Sequence, residues 1–190
     1  RSHHIPLFKG AFHYYMDEPA RAGEDGILTY DNLIHLVIMV KNAGPGFEQV
    51  LRNNLPVIDR WTVLDTGSTD GTQDIVRKVL GGVKKGALYE EPFINFRESR
   101  NRSLELAGTR CKFALILDDT YWVRGPLRSF LHLVRGDQYS TSFSTMIESG
   151  DSEYYSNRVI KTEAGLRYMY TIQDRKSTRL NSSHEWISRM

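Results

Sequence analysis

Three carboxylates stand out by where they fall. Asp65 ends the apolar run WTVLD at residues 61–65, and Asp118 and Asp119 end the run FALILDD at residues 113–119. Short apolar runs closed by turn residues read as buried strands, and ligands of open α/β sheets gather at the carboxyl ends of such strands. Two adjacent acids after an apolar strand are costly to hold near a core unless they are paired or bind a cation. Their hard oxygens suit Mg²⁺ or Mn²⁺, which bridge the oxygens of a diphosphate. A solvated strand-end turn is the plainer alternative; a second ligand-facing site at Asp65 favours the metal. Asp65 runs into Thr66, Gly67 and Ser68. Its carboxylate can accept hydrogen bonds from a base or ribose, while Gly67 and Gly71 let backbone approach a ligand. The same pattern equally lets Asp65 and Ser68 cap the helix that follows. On this reading Asp65 and the Asp118–Asp119 pair lie at neighbouring strand ends and face one nucleotide carrying a divalent metal.

Arg97, Arg100 and Arg102 fall at the start of a helical segment, with Asn101 among them. Arginine suits phosphate, and helix N-termini favour anions. Residues 97 and 100 share a helix face, whereas 102 lies nearly opposite 100, so the three cannot serve one ligand. A solvated charged face with Glu98 and Glu105 is the default for any one of them.

The elements that must position these groups alternate along the chain. Residues 36–41, LVIMVK, read as a strand and 42–46, NAGPG, as a turn. Residues 47–55 have helical spacing up to Pro56, and 61–65 form the next strand. A helix follows whose stripe is Ile75, Val76, Val79 and Leu80, stopped at Gly81–Gly82. Residues 87–91 form a short strand. Asn95 caps a helix over 96–107, closed by Gly108, and 112–118 is a long strand. A helix after Gly125–Pro126 turns Leu127, Phe130, Leu131 and Val134 inward, and 140–147 suits a strand. Residues 155–161 and 166–172 around TEAG read as a β-hairpin. Strands alternating with helices imply βαβ units, hence an α/β fold with a mostly parallel sheet flanked by helices.

The 190 residues suffice for one domain with a sizeable core. Residues 1–31 show no period; His3, His4 and His13 lack metal-ligand spacing, so a loosely packed lead-in is expected. Residues 174–184, DRKSTRLNSSH, look like an in-frame translation of a sequencing-library adapter, and 185–190 are then flanking sequence. The domain is therefore expected over 32–173, with an incomplete second half and a non-native tail over 174–190. The formal net charge is +2, but that tail holds four of the 25 basic and two of the 23 acidic residues, leaving the rest formally neutral. No nucleic-acid partner is implied. The single Cys111 excludes an intrachain disulfide framework or a cysteine-based zinc cluster and fits a reducing compartment. A cytoplasmic location is expected. No apolar run approaches the roughly 20 residues of a membrane span.

VIMVKNAGPGFEQVL, WTVLDTGSTDGTQDIV, INFRESRNRSLELA and FALILDDT, in that order and spacing, resemble a family 2 glycosyltransferase of the GT-A fold. The resemblance covers residues 36–173. It implies a nucleotide-diphospho-sugar donor, Mn²⁺ or Mg²⁺, and inverting transfer to an acceptor hydroxyl; the acceptor, whether glycan, protein or lipid, is not legible. It further implies that residues 40–43, including Asn42, flank the nucleotide, that Asp65 with Gly67 and Ser68 contacts it, and that Arg100 and Asn101 form the family's recurring pair near the donor. Asp118 and Asp119 stand at its metal motif, Asp119 as the direct ligand, with Thr120 where the commoner D-x-D form has its second acid. Inverting transfer needs a carboxylate base. Glu148, Asp151 and Glu153 are acids of the acceptor side, and no motif singles one out.

A haloacid-dehalogenase loop would need an aspartate where Ile116 stands, and a Walker loop would need a lysine after the glycines of GSTDGT. A sugar nucleotidyltransferase would share the architecture and the carboxylates, but the turn at 42–46 lacks its basic residues. A nucleotide-sugar binding module without turnover is the non-enzyme alternative.

Overall fold

The computed structural model describes residues 2–4, 32–169 and 187–189. Its strands are β1 (Ser2–His4), β2 (Ile34–Val40), β3 (Arg60–Asp65), β4 (Lys85–Glu90), β5 (Phe113–Leu117), β6 (Ser142–Ser149), β7 (Ser152–Lys161), β8 (Leu166–Tyr168) and β9 (Ile187–Arg189). The helices are α1 (Phe47–Asn54), α2 (Thr72–Leu80), α3 (Phe96–Ala107) and α4 (Leu127–Val134). Seven strands form one sheet in the order β1-β6-β7-β5-β2-β3-β4, and β8 pairs with β9 in a second. The block β5-β2-β3-β4 is parallel throughout, and β7 alone runs against its neighbours. This is the expected mixed α/β sheet. Among the described residues no helix is long and apolar enough to cross a membrane.

The period-2 alternation of strands sorts the core into two faces. Leu36, Ile38 and Val40 of β2 join Trp61 and Val63 of β3 and Phe113, Leu115 and Leu117 of β5 under the apolar stripes of α1 and α2. Val37, Ala114 and Ile116 face the other way, against Leu104 and Ala107 of α3 and against Ile160, Leu166 and Tyr168. Because helices cover both faces, β2 and β3 read as continuous apolar runs rather than alternating ones. Val76, Val79 and Leu80 of α2 are buried as expected, and Ile75 is half-buried. At α3 the Asn95 side chain accepts a hydrogen bond from the Glu98 N–H at 2.8 Å, the cap that the sequence led one to expect.

Gly86 of β4 shows how closely two neighbouring strands meet. A Cβ there would lie 2.3 Å from the Trp61 carbonyl oxygen and 2.4 Å from the Trp61 ring. Trp61 is held in that place by its indole N–H, which donates to the Lys84 carbonyl at 2.9 Å.

Two pairings differ from the sequence expectation. A hairpin closes the second half of the described chain, but its arms are β6 and β7, joined at Gly150–Asp151. The strand expected to fold back on residues 166–172 pairs instead with β6 and β5. The reason is local: Thr162–Ala164 make a 3₁₀ turn and Gly165 takes the left-handed conformation at φ 64°, turning the chain toward α3 instead of back along β7. Residues 170–172 of the expected second arm, and His13, lie outside the described residues. Ser2–His4, expected to be an irregular lead-in, form an edge strand parallel to β6.

Candidate active site

The parallel block points the carboxyl ends of β2, β3 and β5 to one edge of the sheet, so Asn42, Asp65 and Asp118–Asp119 all arrive there. They are not neighbours as expected. Strand β2 lies between β3 and β5, so Asp65 and Asp118 are two strand spacings apart, roughly 10 Å. They also lean to different faces. Asp65 continues the Trp61–Val63 row toward α2, whereas Asp118 reaches Arg100 of α3. What they share is the edge, and a ligand touching both must lie across it.

Asp65 holds the turn that leads toward the next helix with one of its two oxygens. The residue is buried at 1% exposure, and its Oδ1 accepts the Gly67 N–H at 2.8 Å and the Ser68 N–H at 2.7 Å, folding the turn. Its Oδ2 is buried with no hydrogen-bond partner among the described residues. Such orphaned acceptors are rare and costly, and a ligand N–H is one way to satisfy them.

The two loops beyond β2 and β3 are stitched together. Asn42, at φ 52°, donates its N–H to Ser68 Oγ at 2.8 Å and accepts the Thr69 N–H on Oδ1 at 2.8 Å. Gly44 N–H donates to Asp70 Oδ2 at 2.9 Å and Ala43 N–H to Thr72 Oγ1 at 3.1 Å. Helix α2 starts after Gly71 at φ 87°, and the side chain that receives the Thr72 N–H is Asp70, not Ser68. Asn42 and Ser68 thus shape the loop with the very atoms that a ligand would otherwise use.

The charged groups near β5 sort differently from their sequence order. Asp118 is half-exposed, and both its oxygens are engaged: Oδ1 by Arg100 Nη2 at 3.3 Å and Oδ2 by Arg158 Nη1 at 3.1 Å. Arg100 also lies over the rings of Phe96 and Tyr168, at 5.9 and 5.4 Å. Asn101 does not face the edge. Its amide brackets the backbone of Tyr168, donating to the carbonyl at 3.0 Å and accepting the N–H at 2.8 Å. Arg97 pairs with Glu98, and Arg102 with Glu91 and Glu105 on the opposite side from Arg100, as the helical spacing required.

Asp119 makes no side-chain hydrogen bond or ion pair among the described residues, and it is half-buried. Burial first, then the neighbouring Asp118, hold its carboxyl above the usual carboxylate range. Among the described residues no group of three or more His, Cys, Asp or Glu gathers to hold a metal ion. A hard cation that keeps its waters and a substrate's phosphates needs only one or two protein carboxylates, and Asp119 fits that demand.

Beside this loop a cavity of about 500 Å³ opens between residues 120–126, α4 and β6, lined by Leu117, Thr120, Trp122, Phe130, Met146 and Glu148 among others. Cys111, with burial pushing its thiol up to about 12, is no nucleophile. The residue that sequence reading missed is Arg158. An isolated arginine in a strand pattern carries no motif; the only signal was a basic residue directly before the apolar pair Val159–Ile160 near the end of β7.

No family model matches the chain, and no curated protein matches it. Among solved structures the chain is similar to a crystal structure of S. aureus TarS 1-349, with a TM-score of 0.56 and 13% identity over 70% of this chain and 48% of that one. It is likewise similar to a crystal structure of S. aureus TarS, with a TM-score of 0.54 and 12% identity over 72% of this chain and 30% of that one. The chain spans about half the length of the first and under a third of the second. Both likenesses concern the fold, which is GT-A-like.

Proposed function

We propose that the chain is the donor-binding part of a glycosyltransferase of the family 2 type, which moves a sugar from a nucleotide-diphospho-sugar to an acceptor hydroxyl with inversion and with help from Mn²⁺ or Mg²⁺. The observation that carries this reading is the buried, unpartnered oxygen of Asp65 at the same sheet edge as the free carboxylate of Asp119. A carboxylate only accepts hydrogen bonds, so Asp65 selects a base that presents an N–H. The stitched loops of Asn42 and Ser68 hold Gly67 and its neighbours in place beside that base. The roughly 10 Å between Asp65 and the β5 end then spans base to diphosphate. There Asp119 would hold the cation, which when bound neutralises charge on the leaving diphosphate. The cavity beside Thr120 and Trp122 is the side from which an acceptor would approach.

Calorimetric titration with UDP- and GDP-sugars, each with and without Mn²⁺, tests the reading. One donor is expected to bind in a Mn²⁺-dependent way, and Asp119→Ala to abolish that dependence. Unchanged affinity in Asp119→Ala, or no binding of either donor class, would count against it. Donor binding without hydrolysis or transfer would favour the binding module instead.

A further inference from the structure

The geometry points to Arg158 as a positioning residue of this edge: delivered by a bulge in β7, it fixes Asp118 from one side as Arg100 does from the other, leaving Asp119 as the carboxylate open to a cation.

The bulge is visible in the register. Phe143 pairs with Val159 and Ser144 with Asn157, so Arg158 is the extra residue that no β6 residue opposes. Bulges concentrate next to active sites, where they re-aim a side chain. On the other flank the β5–β7 ladder ends at Leu115–Val159, which sets Arg158 alongside Ile116, two residues before Asp118 in β5's direction. Its side chain is buried at 6% exposure. Nη1 reaches Asp118 Oδ2 at 3.1 Å, and the guanidinium lies 5.5 Å from the ring centre of Tyr121 in the same loop. Tyr121 OH in turn meets Tyr154 OH of β7 at 3.0 Å. Three contacts therefore tie β7 to the segment that carries Asp118 and Asp119.

A purely structural origin explains this poorly. A buried guanidinium is expensive, and an apolar residue of similar size often serves a core as well or better. Here Nε and Nη1 lack a well-aligned hydrogen bond among the described residues, so burial is only partly compensated. What the arrangement does achieve is directional. Two cations hold one carboxylate with both its oxygens occupied, and the adjacent carboxylate is left without a partner.

The inference rests on the donor-site reading for its purpose but not for its geometry, and the test separates the two. Binding of Mn²⁺–UDP and Mn²⁺–GDP and denaturant unfolding would be measured on the full chain for wild type, Arg158→Met, Arg158→Lys, Asp118→Asn and the Arg158→Met/Asp118→Asn double variant. At least tenfold weaker binding is expected for Arg158→Met, partial recovery for Arg158→Lys, and a double variant no worse than its weaker-binding parent. Losses that multiply in the double variant, or a folded Arg158→Met that binds like wild type, would overturn the assignment. Should Arg158→Met not fold, Arg158→Lys against Asp118→Asn and their double variant supplies the same cycle. Should wild type bind neither nucleotide, the donor reading falls, and the unfolding cycle decides alone. Coupling of at least fivefold in the folding equilibrium between positions 158 and 118 supports the clamp, and independence of the two removes it.

Discussion

Asn101 grips the backbone of Tyr168 with both ends of its amide, across 67 residues of chain. A helix side chain thereby acts as a strand's partner for β8, and the pair seals the face of α3 on which Arg100 stacks against the Tyr168 ring. Asn101→Asp keeps the acceptor and loses the donor, setting a carboxylate against the Tyr168 carbonyl. Asn101→Ala loses both. Each is expected to lower unfolding free energy by about 2 kcal/mol, with Asp no better than Ala. Urea unfolding of the three proteins checks it. An Asn101→Asp variant as stable as wild type would show that the bracket carries no stability.

Asp65 offers a cleaner separation of folding from binding, because its two oxygens do different work. Asp65→Asn retains an oxygen for the Gly67 and Ser68 N–H groups and replaces the orphaned one by a donor. Stability within about 1 kcal/mol of wild type is expected, with donor affinity reduced at least tenfold, about 1.4 kcal/mol. Asp65→Ala should lose both. Paired thermal unfolding and donor titration distinguish these outcomes; equal donor affinity in Asp65→Asn would remove the nucleotide from Asp65.

Gly86 supports a prediction about packing alone. Alanine there would press a methyl into the Trp61 carbonyl and ring at 2.3 and 2.4 Å, and Trp61 is too well anchored at Lys84 to retreat freely. Gly86→Ala is expected to cost about 2 kcal/mol and to perturb the near-ultraviolet circular dichroism of the buried indole. A variant with unaltered melting temperature and spectrum would mean that β4 shifts without cost.

Much of this architecture was written in local pattern. The helix over residues 96–107, its Asn95 cap and its Gly108 end match to the residue, because capping chemistry is local. The opposition of Arg100 and Arg102 followed from helical spacing alone. Pairing was less legible. The β7 segment carried strand signal, but its partners depend on a three-residue 3₁₀ turn and a left-handed glycine, which a four-residue turn motif does not distinguish from a hairpin. At the site, the acids could be placed at strand ends but not their spacing, since strand order is set by packing of helices on both faces. Arg158 was invisible because its meaning lies in a one-residue bulge, and a register shift leaves no mark on composition or period.

His35 supplies a pH dependence distant from the ligands proposed for the edge. It is 2% exposed, its Nε2 lies 2.8 Å from Thr62 Oγ1, and its Nδ1 has no partner among the described residues. Burial first, then the charges of Arg110 and Arg60, pull its pKa from 6.5 to about 4. The folded protein therefore keeps the ring neutral where the unfolded chain takes up a proton. The stabilisation is complete above pH 6.5 and drains away as pH falls from 6.5 toward 4, by up to about 3 kcal/mol across that window. His35→Gln cannot titrate, so the difference in unfolding free energy between wild type and variant should narrow steadily on acidification through the window. Parallel pH dependences for the two proteins would mean that the ring takes its proton in the folded state as readily as in the unfolded one, and that its burial and the charges of Arg110 and Arg60 do not set its charge.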